Sequence, residues 1–279
     1  MTVQGKLAGV IGWPVRQSVS PVLHSHWLKE HGIKGAYVAL PIEPADFGRC
    51  VAALPLMGFA GASVTVPHKE AAFALVSSLD EDARATGAVN TLVFNGGSIA
   101  GLNTDVRGFA ASLSETLGAD AACKGPAAVL GAGGAARAVV LALQRAGSPE
   151  VHVINRTPAR SDTLVRSAGG AIRAMAWGDW KAGLADVGLL VNTTSLGMTG
   201  KPALEIGLDD LPRHAAVVDI VYNPLETDLL RAAKARGHRT MDGLGMLMHQ
   251  AVPAFAAWFG VTPKVTPQLR AELERALGG

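Results

Sequence analysis

Apolar residues along this chain come in short runs bounded by glycine and proline. These runs alternate with segments whose apolar positions recur at helical spacing. KLAGVIG reads as a buried strand. Ser20-Pro21 has the form of an N-cap followed by proline at the first helical position, opening PVLHSHWLKEHG, which Gly32 ends. AYVALPI is a second strand, PADFGRCVAALPLMG a helix and stop, and GASVTV a third strand. The segment after Lys69 is helical, and AVNTLVF and IAGLN flank Asn95-Gly96-Gly97 as a hairpin. A helix from about Thr104 to Leu117 opens a second series. GPAAVLGAGG is strand and turn, AARAVVLALQRAG a helix, and EVHVINR, DVGLLVNTT and AAVVDIVY are strands. LETDLLRAAKARG is an amphipathic helix, and GLGMLMHQAVPAFAAWFG and TPQLRAELERALG are the closing helices.

Strands alternating with helices predict an α/β fold with parallel sheet and helices on its faces. A chain of 279 residues is long for one core, which points to two domains. The boundary falls near residues 103 to 108, where the hairpin gives way to a fresh strand–turn–helix unit. Apolar residues make up 49% and charged residues 17%, so long disorder is not expected. A net charge of +2 without long charge runs gives no sign of a nucleic-acid partner. Cys50 and Cys123 form neither a metal spacing nor a disulfide framework. The start, MTVQGKLAGVIGWPV, is too weakly apolar for a signal peptide, and no run reaches the roughly 18 residues of a membrane span. A soluble cytoplasmic protein is expected.

The most informative turn is Gly131-Ala132-Gly133-Gly134-Ala135-Ala136, between an apolar strand and a helix. It is a G-x-G-G-x-A variant of the dinucleotide fingerprint, and its flanks are those the motif requires. Gly131 permits the tight turn, and Gly133 leaves room for a pyrophosphate against the backbone. Ala136 lets helix and strand pack closely, while the helix N-terminus supplies N–H donors. At the end of the next strand, where an NAD site carries a carboxylate, stand Asn155, Arg156 and Thr157, with Arg160 a turn beyond. Arginine matches a phosphate in charge and fork geometry, which predicts NADP over NAD.

Polar groups also gather at strand exits in the first half. Ser18 and Ser20 are two apart and share a side in an extended segment, although Ser20 also suits a helix cap. Thr65 and Lys69 flank Pro67, Asn90 lies in GAVNT, and Asp105 lies in GLNTD, where it could equally be a helix-start acid. Gly243, Met246 and Gln250 share one helix face, with core packing the other reading of Met246. Tyr222 precedes the turn Asn223-Pro224. His24, His26 and His68 lack metal-ligand spacing and read as surface or cap residues, so no metal is expected.

GWPVRQSVSPVLH, SVTVPHK, GAVNT, GLNTDVRGF, GAGGAARA, NRTPAR, NTTSLGM, DIVYNPLETDLL and DGLGMLMHQA occur in this order over nearly the whole chain. The set closely resembles the NADP-dependent shikimate dehydrogenase family. The resemblance implies an oxidoreductase acting on CH–OH that interconverts 3-dehydroshikimate and shikimate in aromatic amino-acid biosynthesis. It implies a substrate-binding and catalytic domain over residues 1–105, completed by helices in 240–279, and a Rossmann-type NADP domain over 106–239. It assigns Lys69 and Asp105 as the catalytic pair. Ser18, Ser20, Thr65, Lys69, Asn90, Asp105, Tyr222 and Gln250 would hold the substrate. Gly131, Ala132, Gly133, Gly134, Ala135, Asn155, Arg156, Thr157, Arg160, Ile220, Gly243, Met246 and Glu81 would contact NADP.

Lys69 would stabilise the forming alkoxide and supply its proton, or only polarise the carbonyl while water carries the proton. Three positions depart from the family pattern: Gln17 for histidine, Ser25 for asparagine and Ser63 for asparagine. Two alternatives stand beside this reading. One is a paralogue acting on quinate or an aminated shikimate analogue, and the other is a non-catalytic NADP- or shikimate-binding regulator. A small-molecule substrate is the expected partner, and a homodimer is left open.

Overall fold

A computed structural model describes residues 5–278. The expectation that the chain's start is no signal peptide falls partly on residues 1–4 and lies outside the described residues. The chain divides into two compact units. One takes the residues up to Thr104 together with those from Gln250 on, and the other is Asp105–His249. In the first, β1 (Lys6–Gly12), α1 (Ser20–Glu30), β2 (Gly35–Pro41), α2 (Phe47–Ala53), β3 (Phe59–Val64), α3 (Lys69–Leu75), β4 (Ser78–Leu79), α4 (Glu81–Thr86), β5 (Thr91–Asn95) and β6 (Ser98–Leu102) follow in order. The second carries α5 (Asp105–Leu117), β7 (Ala127–Leu130), α6 (Gly134–Arg145), β8 (Val151–Asn155), α7 (Pro158–Ala168), β9 (Ile172–Ala176), α8 (Trp180–Leu184), β10 (Leu189–Asn192), β11 (Ala216–Asp219), α9 (Asp228–Ala235) and β12 (Thr240–Met241). Helix α10 (Gly243–Phe259) contributes to both units, and α11 (Pro267–Gly278) belongs to the first.

The first unit's sheet has the order β2-β1-β3-β5-β6-β4. As the expected hairpin requires, β5 runs antiparallel to β6, and it also runs antiparallel to β3, while the remaining pairings of this sheet are parallel. Gly96 and Gly97 both take positive φ, the backbone of a two-residue turn whose twist matches its strands, and this fixes β6 antiparallel to β5. One side of the sheet buries Ile11, Ala62, Val64 and Leu92 against Phe47 and Val51 of α2.

An aromatic group of Trp27, Tyr37, Phe255 and Trp258 surrounds His24. The Trp258 indole N–H donates to the Leu92 carbonyl at 2.9 Å, which fastens α10 to β5. Gly61 makes room for that bond, since a Cβ there would run into both the Leu92 carbonyl and the Trp258 indole. The Trp27 indole N–H donates to the Lys264 carbonyl at 3.0 Å, fastening the segment before α11.

The second unit's sheet, in the order β12-β11-β10-β7-β8-β9, is parallel at every pairing. Strands β7, β10 and β11 are buried along their whole length. That burial explains why they read as continuous apolar runs rather than alternating ones. Val106, Phe109, Val139 and Leu143 of α5 and α6 cover one face, and Leu184, Leu229 and Leu230 of α8 and α9 belong to the other core.

Three local expectations change. Ser20 is the first residue of α1, the cap position is Val19, and no side chain caps the helix. His24 and His68 are buried, not surface residues. Elements β4, α4, α7, β9 and α8 were not legible, being short or, like α7, polar over most of their surface.

Both His24 ring nitrogens are buried without a hydrogen-bond partner, and the ring stacks on Tyr37 at 3.9 Å between centroids. Burial lowers its pKa from 6.5 to about 3, so the folded protein holds it neutral. The unfolded chain binds a proton there from pH 6.5 downward. This contribution to stability is therefore intact above that pH and is lost progressively as pH falls toward 3. His24→Phe, which keeps a ring in the stack, is expected to remove about 2–3 kcal/mol of the destabilisation between pH 7.5 and 4.5. Urea unfolding at the two pH values checks this, and equal pH dependence in both proteins would contradict it.

Candidate active site

In the first unit the candidate residues collect at the carboxyl ends of β1 and β3. The Thr65 N–H donates to the Ile11 carbonyl at 2.8 Å, and the Trp13 N–H donates to the Val66 carbonyl at 3.1 Å. Chain leaving both strands is thereby held in a fixed register. The Thr65 carbonyl accepts from the His68 N–H at 3.0 Å, closing the turn that contains Pro67. Lys69, half-buried, is the first residue of α3, and its carbonyl accepts from the Val89 N–H at 3.0 Å. An ammonium at a helix N-terminus opposes the helix dipole, so helix stability does not explain this lysine.

The buried His68 ring stacks on Phe47 at 4.7 Å and contacts the Ile42 carbonyl through Nε2 at 2.8 Å. Its pKa is lowered by desolvation, against the opposing carbonyl contact. A neutral ring thus precedes Lys69. Ser18 and Ser20 meet, with Ser18 Oγ donating to Ser20 Oγ at 3.1 Å. They meet through a turn, because the Ser18 N–H donates to the Val15 carbonyl.

Asn90 centres a buried polar cluster. Its Nδ2 donates to Thr104 Oγ1 at 2.9 Å and to Gln250 Oε1 at 3.2 Å, and its Oδ1 accepts from the Thr104 N–H at 2.8 Å. Thr104 Oγ1 also lies 3.3 Å from Gln250 Oε1. Residues 160 positions apart in the chain are thus joined around one amide. Thr104 belongs to the polar GLNTD stretch that the sequence marks at a strand exit, although the family resemblance assigns it no role. Glu81 is exposed in the first turn of α4, where a carboxylate is favoured by the helix end.

In the second unit the order of strands reverses between β7 and β10, the crevice where doubly wound sheets bind ligands. Gly131 has φ +108°, and a Cβ there would sit 2.7 Å from Thr193 Oγ1. Gly133 occupies the cap position of α6 with no side-chain cap, and a Cβ built on it meets no atom within 4 Å. The loop therefore leaves open space beside backbone donors at a helix start, which fits a pyrophosphate. Ala132 is buried, and Gly134 and Ala135 form the first turn of the helix.

At the end of β8, Asn155 Nδ2 donates to the Thr157 carbonyl at 2.8 Å, shaping the entry to α7. Arg156, Thr157 and Arg160 are exposed, and neither arginine forms an ion pair among the described residues. Asp105, buried, begins α5. Tyr222 is half-buried just after β11. Gly243 lies against the Ile220 carbonyl so closely that a Cβ would overlap it. Met246 is part of the core with α5 and α6, the packing reading of that residue.

Two polar residues outside the expected set stand out. Asn192 and Asp219 end the neighbouring strands β10 and β11 as register partners, fully buried, with Asn192 Nδ2 donating to Asp219 Oδ1 at 2.9 Å. The available signal is a polar residue closing an apolar run, in GLLVN and AVVD. Among the described residues no group of three or more potential metal ligands occurs, and no helix is long and apolar enough to cross a membrane.

The strand order and the glycine turn define the second unit as a dinucleotide-binding fold of the Rossmann class. Residues 10–92 match the shikimate dehydrogenase substrate binding domain, and residues 119–221 match the shikimate / quinate 5-dehydrogenase family. A shikimate dehydrogenase (NADP(+)) of Methylobacterium radiotolerans is 54% identical over 282 residues, covering 100% of both chains. A shikimate 5-dehydrogenase from Thermus thermophilus, solved in complex with NADP(H) and shikimate, is 37% identical with a TM-score of 0.85 over 99% of each chain. A quinate dehydrogenase from Corynebacterium glutamicum, solved with NAD, is 31% identical with a TM-score of 0.87, covering 96% of this chain and 98% of that one. The chain belongs to the shikimate dehydrogenase family.

Arg156→Ala tests the expectation that this arginine meets a 2′-phosphate. It is expected to weaken NADP binding about 10–100-fold and leave NAD binding unchanged. Calorimetric titration with both dinucleotides checks this, and an unaltered NADP-to-NAD ratio would reject the role of Arg156.

Proposed function

We propose that this protein catalyses the reversible NADPH-dependent reduction of 3-dehydroshikimate to shikimate, in the cytoplasm, as a step of aromatic amino-acid biosynthesis. The observation that carries the proposal is Lys69. It is fixed by the turn after β3, whose neighbours in the sheet are β1, which leads toward the Ser18–Ser20 hydroxyls, and β5, which starts after the Asn90 amide, in a chain of this family. Ser18, Ser20, Thr65, Asn90, Asp105, Tyr222 and Gln250 bind a ring bearing hydroxyls and a carboxylate. Hydroxyls and amides can both donate and accept, which suits such a ligand. Their mutual bonds hold several of them in place before substrate arrives.

The Gly131–Ala135 loop would hold NADP at its pyrophosphate, and Asn155, Arg156, Thr157 and Arg160 would hold its 2′-phosphate. Ile220 and Gly243 would meet the nicotinamide half, with Met246 reaching it from the core. When bound as NADPH, the cofactor supplies the hydride. Lys69 then has the remaining task. Its ammonium stabilises negative charge growing on the carbonyl oxygen and delivers the proton that makes the hydroxyl. Asp105 binds a substrate hydroxyl and favours the charged lysine. In the oxidative direction the same groups run in reverse.

Initial rates with shikimate or quinate, each with NADP or NAD, test the proposal. Turnover confined to shikimate with NADP is expected. Preference for quinate or NAD would move the protein to the quinate branch, and no turnover despite tight NADP binding would make it a binder. Lys69→Ala is expected to lower kcat about 10²–10⁴-fold while shikimate affinity changes far less. Equal losses in both would remove Lys69 from the chemistry.

A further inference from the structure

Strand β11 ends in a carboxylate with no access to water and no cation at hydrogen-bond distance. Asp219 is 0% exposed, and its neighbours are all neutral donors. Oδ1 accepts from the Val221 N–H at 3.0 Å and from Asn192 Nδ2 at 2.9 Å, and Oδ2 accepts from Thr227 Oγ1 at 2.7 Å. Burial raises its pKa from 3.8 to about 6, against the opposing effect of those three donors. A buried acid is costly and needs a reason other than stability.

The connections supply one. Asn192 Oδ1 accepts from the Thr194 N–H and Oγ1 at 3.0 and 2.8 Å, which shapes the loop after β10. That loop reaches Thr199, whose N–H and Oγ1 donate to the Asn223 carbonyl and Oδ1 at 2.8 and 3.0 Å. The Ile220 N–H donates to the Asn192 carbonyl at 3.1 Å, and the Gly243 N–H donates to the Val221 carbonyl at 3.2 Å. Residues 220–223 are thus pinned from four sides, and Asp219 makes one of those ties and holds the side chain of Asn192, whose carbonyl makes another.

We infer that Asp219, with Asn192 and Thr227, is a positioning group that fixes the backbone of residues 220–223. It thereby sets where the Ile220 carbonyl and the Tyr222 hydroxyl meet the reacting ends of cofactor and substrate. It touches neither ligand and acts through the loop. The inference rests on the roles proposed above for Ile220 and Tyr222. It goes beyond them in naming what holds those residues and why a costly buried acid stands there.

Asp219→Asn keeps Oδ1 as acceptor for Val221 and Asn192 and replaces the acceptor that faces Thr227. Asp219→Ala removes all three bonds. Expected for Asp219→Ala are a higher shikimate KM, weaker shikimate binding to the protein without cofactor, and a kcat/KM loss approaching the 100-fold that follows a displacement of about 1 Å. Asp219→Asn, which keeps the Val221 and Asn192 bonds, is expected to show a smaller loss. Binding of 2′,5′-ADP, which reports the Arg156 end, is expected to stay at the parent value in both. The melting temperature of Asp219→Asn at pH 8 is expected not to fall, because a buried charge is removed. Thr227→Val should reproduce the shikimate defect and Thr227→Ser should restore it, which keeps the test available if an Asp219 variant does not fold.

Unchanged shikimate KM and kcat in Asp219→Ala would overturn the inference. So would losses that track a lower melting temperature and weaker 2′,5′-ADP binding, since those mark general destabilisation. A parent protein that does not turn over shikimate would instead overturn the proposed function, which separates the two failures.

Discussion

A buried strand that ends inside a protein must find partners for the last polar groups it carries, and both units are organised by that demand. Strands β10 and β11 deliver Asn192 and Asp219 side by side where water does not reach. The first side-chain bonds in the loops beyond them satisfy these two side chains. The first unit meets the same demand with Asn90 at the start of β5, whose amide gathers Thr104 and Gln250. In each case a short side-chain amide converts the exit of a rigid sheet into a defined loop. Loops defined in this way can carry groups that must be placed closely, which is why many of the candidate residues sit there or at helix starts, with Gly243, Met246 and Gln250 on α10.

The handling of charge differs between the parts of the site. Arg156 and Arg160 stand exposed and unpaired among the described residues, ready for an anion from outside. Lys69 follows a histidine that burial keeps uncharged, so no second cation stands next to it in the chain. Asp219 is surrounded by dipoles alone. In the proposed function and the inference drawn from Asp219, exposed charge recognises, half-buried charge reacts, and buried charge organises. The dielectric surroundings set by the fold decide which of the three each group does.

Much of this architecture was legible because its strands are continuous apolar runs and its turns are marked by glycine. The glycine turn at 131–135, the hairpin at Gly96-Gly97 and the helix at 267–278 all announce themselves through local chemistry. What was not legible depends on tertiary surroundings. His24 and His68 look like surface residues until aromatic rings close over them. Ser20 looks like a cap until the chain enters α1 one residue earlier and turns its hydroxyl toward Ser18. The antiparallel placement of β5 depends on which strand it pairs with, and periodicity does not encode that. The Asn192–Asp219 pair is visible only as two polar endings of apolar runs. Their adjacency comes from the sheet order.

The first unit is discontinuous in the chain, and this has a consequence for how the protein comes into being. Its aromatic group needs Phe255 and Trp258, and its polar cluster needs Gln250, all of which emerge after the whole of Asp105–His249. During synthesis at 5–20 residues per second, the first hundred residues wait about 7–30 s for the helix that completes them. In that interval Leu92 offers a carbonyl without its indole donor, and His24 has Trp27 and Tyr37 but lacks Phe255 and Trp258. The contiguous second unit has its own sheet and both its cores in one stretch of chain. The order of birth therefore runs opposite to the order of the sequence, with the middle of the chain maturing before its beginning.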